Sequence, residues 1–371
     1  MVGQLTQERV RGDIDVLSRA GLTVEDFLDE AMPALSRAVP WDAACVGTHD
    51  PATVIFTSGR KYGGLVCSEE QDAVFMQLEY AESDETSMRS LAASGTAAVG
   101  MRLRHGQEIE RSERMGQLIA PIFGFADESR LIARDDVGVW GGIALFRGPE
   151  GPSFREEEVD YLAGLSGFFA RAFRSGILAS LAVGAVIDTA DQGPGVIIVG
   201  PGGGAAQMSV GAQERLDELR TAGSGTDPMS LVSGLAEAAR RVAANVPGAR
   251  MPRARVRTGS GKWLALHASP LAGGSLDIVV TIEDARPPEI IELVVASLGL
   301  TPRERGVTTL VLKGVETKEI AASLHLSAYT VQDHLKAVFD KAGVRSRREL
   351  IARICLDHYL PKQNMPVGPS G

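Results

Sequence analysis

The chain has 371 residues, too many for one hydrophobic core and enough for two or three domains. A formal net charge of −9 argues against nucleic-acid binding by the chain as a whole, so the distribution of charge matters more than its total. Cys45, Cys67 and Cys355 form no CxxC pair, which excludes a zinc knuckle or disulfide framework and fits a reducing cytoplasm.

Residues 6–39 carry apolar positions at helical intervals, with Gly21 punctuating two helices. Residues 41–48 and 53–57 are apolar or β-branched runs separated by the turn chemistry of His49, Asp50 and Pro51, and read as strands. Residues 72–79 and 85–92 read as helices. Residues 118–123 and 137–146 read as two more strands with a polar excursion between them, and one long helix is expected over 154–175. This order, with LIAPIF, then VGVWGGIALFR, then SFREEEVDYLAGLSGFFARAF, resembles a GAF domain, a sensory module on an antiparallel sheet. The resemblance assigns residues 1–176 and implies either a ligand-responsive or a purely dimerising sensor. The cyclic-nucleotide signature of some GAF members is not recognisable, so no ligand or cofactor carries over.

Residues 177–193 read as a connecting helix and linker. Their apolar run, 177–187, is well short of the roughly 20 residues that a membrane-spanning helix needs. Strands follow at 196–199 and 206–209 around a glycine turn at 200–204, then helices at 212–219 and 231–242 flanking a flexible loop at 223–228. Later strands at 254–258, 263–269 and 275–283 complete an order that is similar to a PAS domain, assigned to 194–286. A linker helix spans 287–298. No internal repeat is visible.

The stretch 299–357 spells out four short helices. Thr301, Pro302 and Glu304 make a capping box for the first, 302–313, which Gly314 ends. A second helix covers 317–323, and Ser327 caps a third, which Gly343 stops. In that third helix Val331, Leu335, Val338, Phe339 and Ala342 share one stripe, leaving Tyr329, Gln332, Asp333, Lys336 and Asp340 opposite. A fourth helix is expected over 347–357. Two helices joined by a tight turn, the second with polar side chains facing outward, are what a major groove requires. This stretch holds ten Lys or Arg and seven Asp or Glu, a net of +3, where the rest of the chain holds 28 against 40, a net of −12.

LTPRE, KEIAASL, S-x-x-TVQDHL and K-x-GVRSRREL, in this order and spacing, resemble the LuxR-type helix-turn-helix domain. The resemblance implies a transcription regulator whose third helix enters the major groove. It carries Gln332, Asp333 and Lys336 over to base-reading positions, and Thr330, Lys341, Arg345 and Arg347 to positions that meet the DNA backbone. The chain departs from the family at Gly306, where a charged helix former is usual, and at Tyr329. Double-stranded DNA is the implied partner, with RNA polymerase as a further one, an unidentified small-molecule or protein signal upstream, and no cofactor needed for DNA binding.

The expected fold class is multidomain α+β: two antiparallel-sheet sensory domains followed by an all-α four-helix helix-turn-helix domain, with residues 358–371 a flexible tail. The first apolar stretch is broken by Glu8, Arg9, Arg11 and Asp13, so no signal peptide or membrane segment is expected, and the reading is a cytoplasmic homodimer. Gly261-Lys262 is followed by Trp263 rather than Ser or Thr, so no phosphate-binding loop is formed. Asp135-Asp136 reads as an exposed loop, and the six histidines show no metal-ligand or catalytic spacing. Not an enzyme is therefore the expectation. The competing readings are a docking module that uses the helices to bind protein, and an enzyme targeted by them.

Overall fold

The computed structural model describes residues 3–80, 84–182, 193–220, 227–272 and 276–356. Two compact units result, a larger one of Met1–Gly176, Ala190–Gly259 and Trp263–Ala285, and a smaller one built mainly on Arg286–Gly371. No helix among the described residues is long and apolar enough to cross a membrane.

The larger unit opens with α1 (Gln4–Arg19) and α2 (Val24–Ala38), separated by Gly21 at φ 67°. A first sheet follows. Its chain order is β1 (Ala43–Asp50), β2 (Ile55–Gly63), α3 (Glu69–Tyr80), α4 (Met88–Ser94), β3 (Ala98–Gly100), α5 (Met101–His105), α6 (Ala120–Phe123), β4 (Asp127–Arg134) and β5 (Val139–Arg147). The strands lie in the order β2-β1-β5-β4-β3, antiparallel throughout. Two helices, α7 (Glu156–Ala163) and α8 (Ser166–Ala182), follow the sheet.

Three expectations for this region are corrected. Residues 118–123 are not a strand: a π-helical turn over Met115–Ile119 runs into α6. Pro121 has no N–H to give a ladder and suits the first turn of a helix, and helical spacing buries Leu118 and Ile119 while leaving Ile122 exposed. The polar excursion after it is itself a strand, β4, whose charged residues Asp127, Glu128 and Arg130 are buried. The single long helix over 154–175 is two, broken at Gly164, where an added Cβ would stand 2.7 Å from the Arg11 guanidinium.

Asp127 accepts from the backbone amides of Arg102, Glu128 and Phe154, while Glu128 and Arg130 belong to one charged cluster. Arg114 donates from Nη1 to Asp84 Oδ2 at 2.7 Å and from Nη2 to Glu128 Oε2 at 2.7 Å, and Arg130 Nη2 donates to Glu79 Oε2 at 2.7 Å. Burial works to raise the Asp84 pKa, but Arg114, the Thr86 hydroxyl and Arg130 outweigh it and hold the carboxyl down at about 2. Asp135, expected in a plain exposed loop, organises the β4–β5 turn. Its Oδ1 accepts from the amides of Val137 and Gly138 and from Trp140 Nε1, and its Oδ2 pairs with Arg174 of α8 at 2.7 Å.

A second sheet comprises β6 (Gly195–Val199), β7 (Ala205–Met208), β8 (Arg253–Arg257), β9 (Trp263–Pro270) and β10 (Ile278–Asp284), with α9 (Val210–Arg220) and α10 (Pro228–Ala243) between β7 and β8. Its order, β7-β6-β10-β9-β8, repeats the second-first-fifth-fourth-third arrangement of the first sheet. Residues 200–204, four glycines and Pro201, make the tight turn between β6 and β7, with Gly203 at φ 82°. The strand expected from 275 begins at Ile278, and the loop expected at 223–228 falls largely outside the described residues, as do most of the 177–193 linker and the 358–371 tail.

Side chains of the first sheet region complete the second core. Ile55, Met76 and Tyr80 pack with Ile197, Leu235 and Val280. Asp50 takes a bidentate bond from Arg255, Nε to Oδ2 and Nη2 to Oδ1, both 2.7 Å, with both side chains buried. Gly234 of α10 allows this contact, because a Cβ there would meet Met76 and Tyr80 at 3.0 Å.

The smaller unit is helical among the described residues: α11 (Pro287–Ser297), α12 (Pro302–Leu312), α13 (Thr317–Leu324), α14 (Ala328–Ala342) and α15 (Arg347–Ile351), the last continuing as a π-helical turn over Ala352–Leu356. Its core is Leu300, Val307, Val311, Ile320, Val331, Leu335, Val338, Leu350 and Ile354, all buried.

Candidate nucleic-acid interface

Local sequence chemistry sets each helix end in this unit. Thr301 Oγ1 accepts from the Glu304 amide at 3.3 Å while Glu304 Oε2 accepts from the Thr301 amide at 2.8 Å, the reciprocal box expected from the sequence. α13 ends at His325, which adopts the left-handed region at φ 55° and donates its amide to the Ala322 carbonyl. The Leu326 amide returns to the Ala321 carbonyl at 2.8 Å, and Ser327 Oγ then accepts from the Thr330 amide at 3.0 Å. So three residues, His325, Leu326 and Ser327, reverse the chain between α13 and α14. Gly343 closes α14 in the left-handed region at φ 63°.

α14 is divided lengthwise. Val331, Leu335, Val338 and Ala342 are buried, and Tyr329, Gln332, Asp333, Lys336 and Asp340 are exposed on the other side. At 100° per residue these five fall within one arc about 100° wide, a stripe that fits one groove. Gln332, Asp333 and Lys336 make no side-chain hydrogen bond or ion pair to any described residue, so their polar groups face solvent and a partner equally. Tyr329 stands 77% exposed at the amino-terminal end of this arc.

The residues expected to meet the DNA backbone divide into two kinds. Arg345 is exposed and its guanidinium has no described partner. Thr330 shares its hydroxyl with Ser327 Oγ at 2.8 Å at the start of α14. Lys341 instead pairs with Glu304 Oε2 at 2.6 Å and reaches the Gly299 carbonyl at 3.3 Å. Arg347 Nη2 donates to the Val315 carbonyl at 2.6 Å and the Val311 carbonyl at 3.4 Å, at the end of α12. These two cations tie α14 and α15 back to α12. Burial works to raise the Glu304 pKa, yet the bond from Lys341 and the Thr301 amide together hold it below the ordinary carboxylate value.

Sequence spacing had no means of finding the Lys341–Glu304 pair, whose members are far apart along the chain. The signal was in plain sight only for the box, since Glu304 stands three residues after Thr301. The geometry as a whole can present a polar helix face, rimmed by cations, to a groove of matching width.

Residues 298–354 match the model of a family described as bacterial regulatory proteins, luxR family. Response regulator Rre1 of Synechocystis sp. is 44% identical over 63 residues, 17% of this chain and 27% of that protein. The probable HTH-type transcriptional regulator GfsR of Streptomyces halstedii is 39% identical over 57 residues, 15% of this chain and 24% of that protein. The chain thus spans about a quarter of the length of these curated relatives. Among solved structures, the similarity to the phage VqmA-DPO complex covers 47% of this chain and 88% of that chain at 18% identity, with a TM-score of 0.24. Residues 298–354 are a LuxR-type helix-turn-helix domain, of the kind that binds DNA in transcription regulators.

Proposed function

We propose that the protein is a cytoplasmic transcription regulator that binds double-stranded DNA through α14, works as a homodimer, and is governed by the two sheet modules of the larger unit. The observation that carries this reading is the unpartnered arc of Gln332, Asp333 and Lys336 on a helix whose opposite face is sealed into the domain core. Gln332, Asp333 and Lys336 read base edges, Asp333 accepting from a cytosine amino group. Arg345 and Thr330 meet phosphates directly, and Lys341 and Arg347 meet them from their positions between helices. One small helix-turn-helix contacts few bases, so two copies on paired half-sites supply the specificity.

The modules of the larger unit are read as GAF-like (1–176) and PAS-like (194–286). The shared strand order of the two sheets supports a related pair. RNA polymerase is the partner a bound regulator would act on.

The test begins with a duplex selected from a random library for tight binding. Lys336→Ala should relax preference at one position at a cost of about 1–3 kcal/mol, whereas Arg345→Ala should weaken selected and random duplexes alike and flatten the salt dependence. Equal losses on both duplexes for both variants overturn the assignment.

A further inference from the structure

A cleft of about 340 Å³ lies within the larger unit, bounded by the β1–β2 turn, α4, the end of β4, α10 and the loop before β8. Three arginines line it: Arg89 of α4, Arg134 at the end of β4, and Arg250 before β8. No Asp or Glu is among its described lining residues. None of the three guanidiniums makes an ion pair or side-chain hydrogen bond with a described residue, in a unit where buried arginines such as Arg114, Arg130 and Arg255 each pair with a carboxylate. Arg134 Nη1 is shut off from solvent and has no partner among the described residues. For Arg134 this is costly, because an arginine nitrogen removed from water without an acceptor loses its hydration without replacement, whereas Arg89 is part-buried and Arg250 exposed.

Apart from Thr53, the side chains of the remaining lining are apolar, including Val54, Ile55, Ala92, Val139 and Ala238. Val54 is the strained member. It is β-branched yet held at φ 57°, with its amide on the Asp50 carbonyl at 2.8 Å and its carbonyl accepting from the Tyr80 hydroxyl at 3.2 Å. Strain of this kind gathers at binding sites, where surrounding bonds over-determine the backbone.

We propose that this cleft is the sensory site of the protein and takes a small organic anion, with a carboxylate or phosphate held by Arg89, Arg134 and Arg250 and a compact apolar body against Val54, Val139 and Ala238. The volume is at the small end for ligand sites, roughly 300–1,000 Å³, which restricts the body to a single ring or a short branched chain. Planar guanidiniums bind carboxylate and phosphate oxygens in pairs, so three of them supply both charge and orientation. Burial, and after it the nearby charge of Arg241, press the Arg89 pKa below its ordinary value, a penalty that a bound anion removes. The site deepens the sensory half of the proposed function and rests on it for its purpose.

The test uses the full chain with benzoate, phenyl phosphate and the neutral benzamide at constant ionic strength, read by calorimetry and by thermal unfolding without DNA. Benzoate or phenyl phosphate should bind one per chain and raise Tm saturably, the better of the two identifying the anionic group, while benzamide does neither. The double variant Arg89→Gln, Arg134→Gln should bind the same anion at least tenfold more weakly. Its Tm without ligand should equal or exceed that of the unchanged protein, since like charges have been removed. The proposal is overturned if neither anion binds, if benzamide binds as well, if the double variant binds equally, or if that variant unfolds earlier and so marks the arginines as structural. Binding that leaves DNA affinity untouched supports the site and refutes only its regulatory purpose.

Discussion

Gly306 sits mid-way along α12, and an added Cβ there would meet nothing closer than Leu324 at 3.9 Å. The helix therefore carries the conformational freedom of glycine with no close approach that requires it. Gly306→Ala should stabilise the smaller unit by about 1 kcal/mol, read as a higher urea midpoint at unchanged slope. His325 is the converse case, a side chain in the left-handed region that glycine occupies without a clash. His325→Gly should leave the turn and DNA binding intact and gain up to about 1 kcal/mol, whereas a β-branched valine there should lose stability. Lys341→Ala removes a cation from the proposed DNA-binding face and also strands the buried Glu304 without its partner. Its loss of affinity should thus come with a loss of stability, which Arg345→Ala does not share.

At the scale of the element, β4 was illegible because its pattern is the reverse of a half-buried strand. Residues Asp127, Glu128, Ser129 and Arg130 read as surface loop, and only partners outside the segment make their burial tolerable: Arg114 for Glu128, Glu79 for Arg130, and the amides of Arg102 and Phe154 for Asp127. Breaking such a cluster leaves uncompensated charge. Arg114→Met should destabilise the larger unit by about 3–5 kcal/mol, measured by denaturant unfolding. The cluster also sets an acid limit. Asp84 titrates at about 2 in the fold, against about 3.9 in an open chain, so its contribution is complete above the higher value and disappears as pH falls towards the lower. An acid titration followed by near-UV circular dichroism should show the larger unit weakening below about pH 4, and Asp84→Asn should flatten that decline. α14 is the opposite kind of element, since its period, its Ser327 cap and its Gly343 stop all point to one answer.

For the whole molecule the governing quantity is the uneven charge. Residues 286–371 carry 12 Lys and Arg against nine Asp and Glu, while the full chain is at −9. Phosphate repels the full chain at long range and attracts the fragment, and salt screens both over about 8 Å at physiological strength. A fragment beginning at Arg286, with its oligomeric state matched, should bind the selected duplex more tightly than the full chain at low salt. The difference should shrink as salt rises. A fragment no tighter at any salt would show that the acidic remainder does not compete with DNA.

Sequence alone determined the helix-turn-helix, because every feature that builds it is local: the Thr301–Glu304 box, the cap at Ser327, the glycine stops, and the apolar stripe that turns Gln332, Asp333 and Lys336 outward. Much of the strand order could also be read wherever apolar runs lie between turn residues. Tertiary structure decided what depends on partners distant along the chain. It made a strand of a polar segment, closed Lys341 onto Glu304, tied Asp50 to Arg255, and lined one cleft with Arg89, Arg134 and Arg250. The physical reason is that caps and periodicities act within a few residues, whereas the pairing or isolation of a charge is settled only when the chain has folded around it.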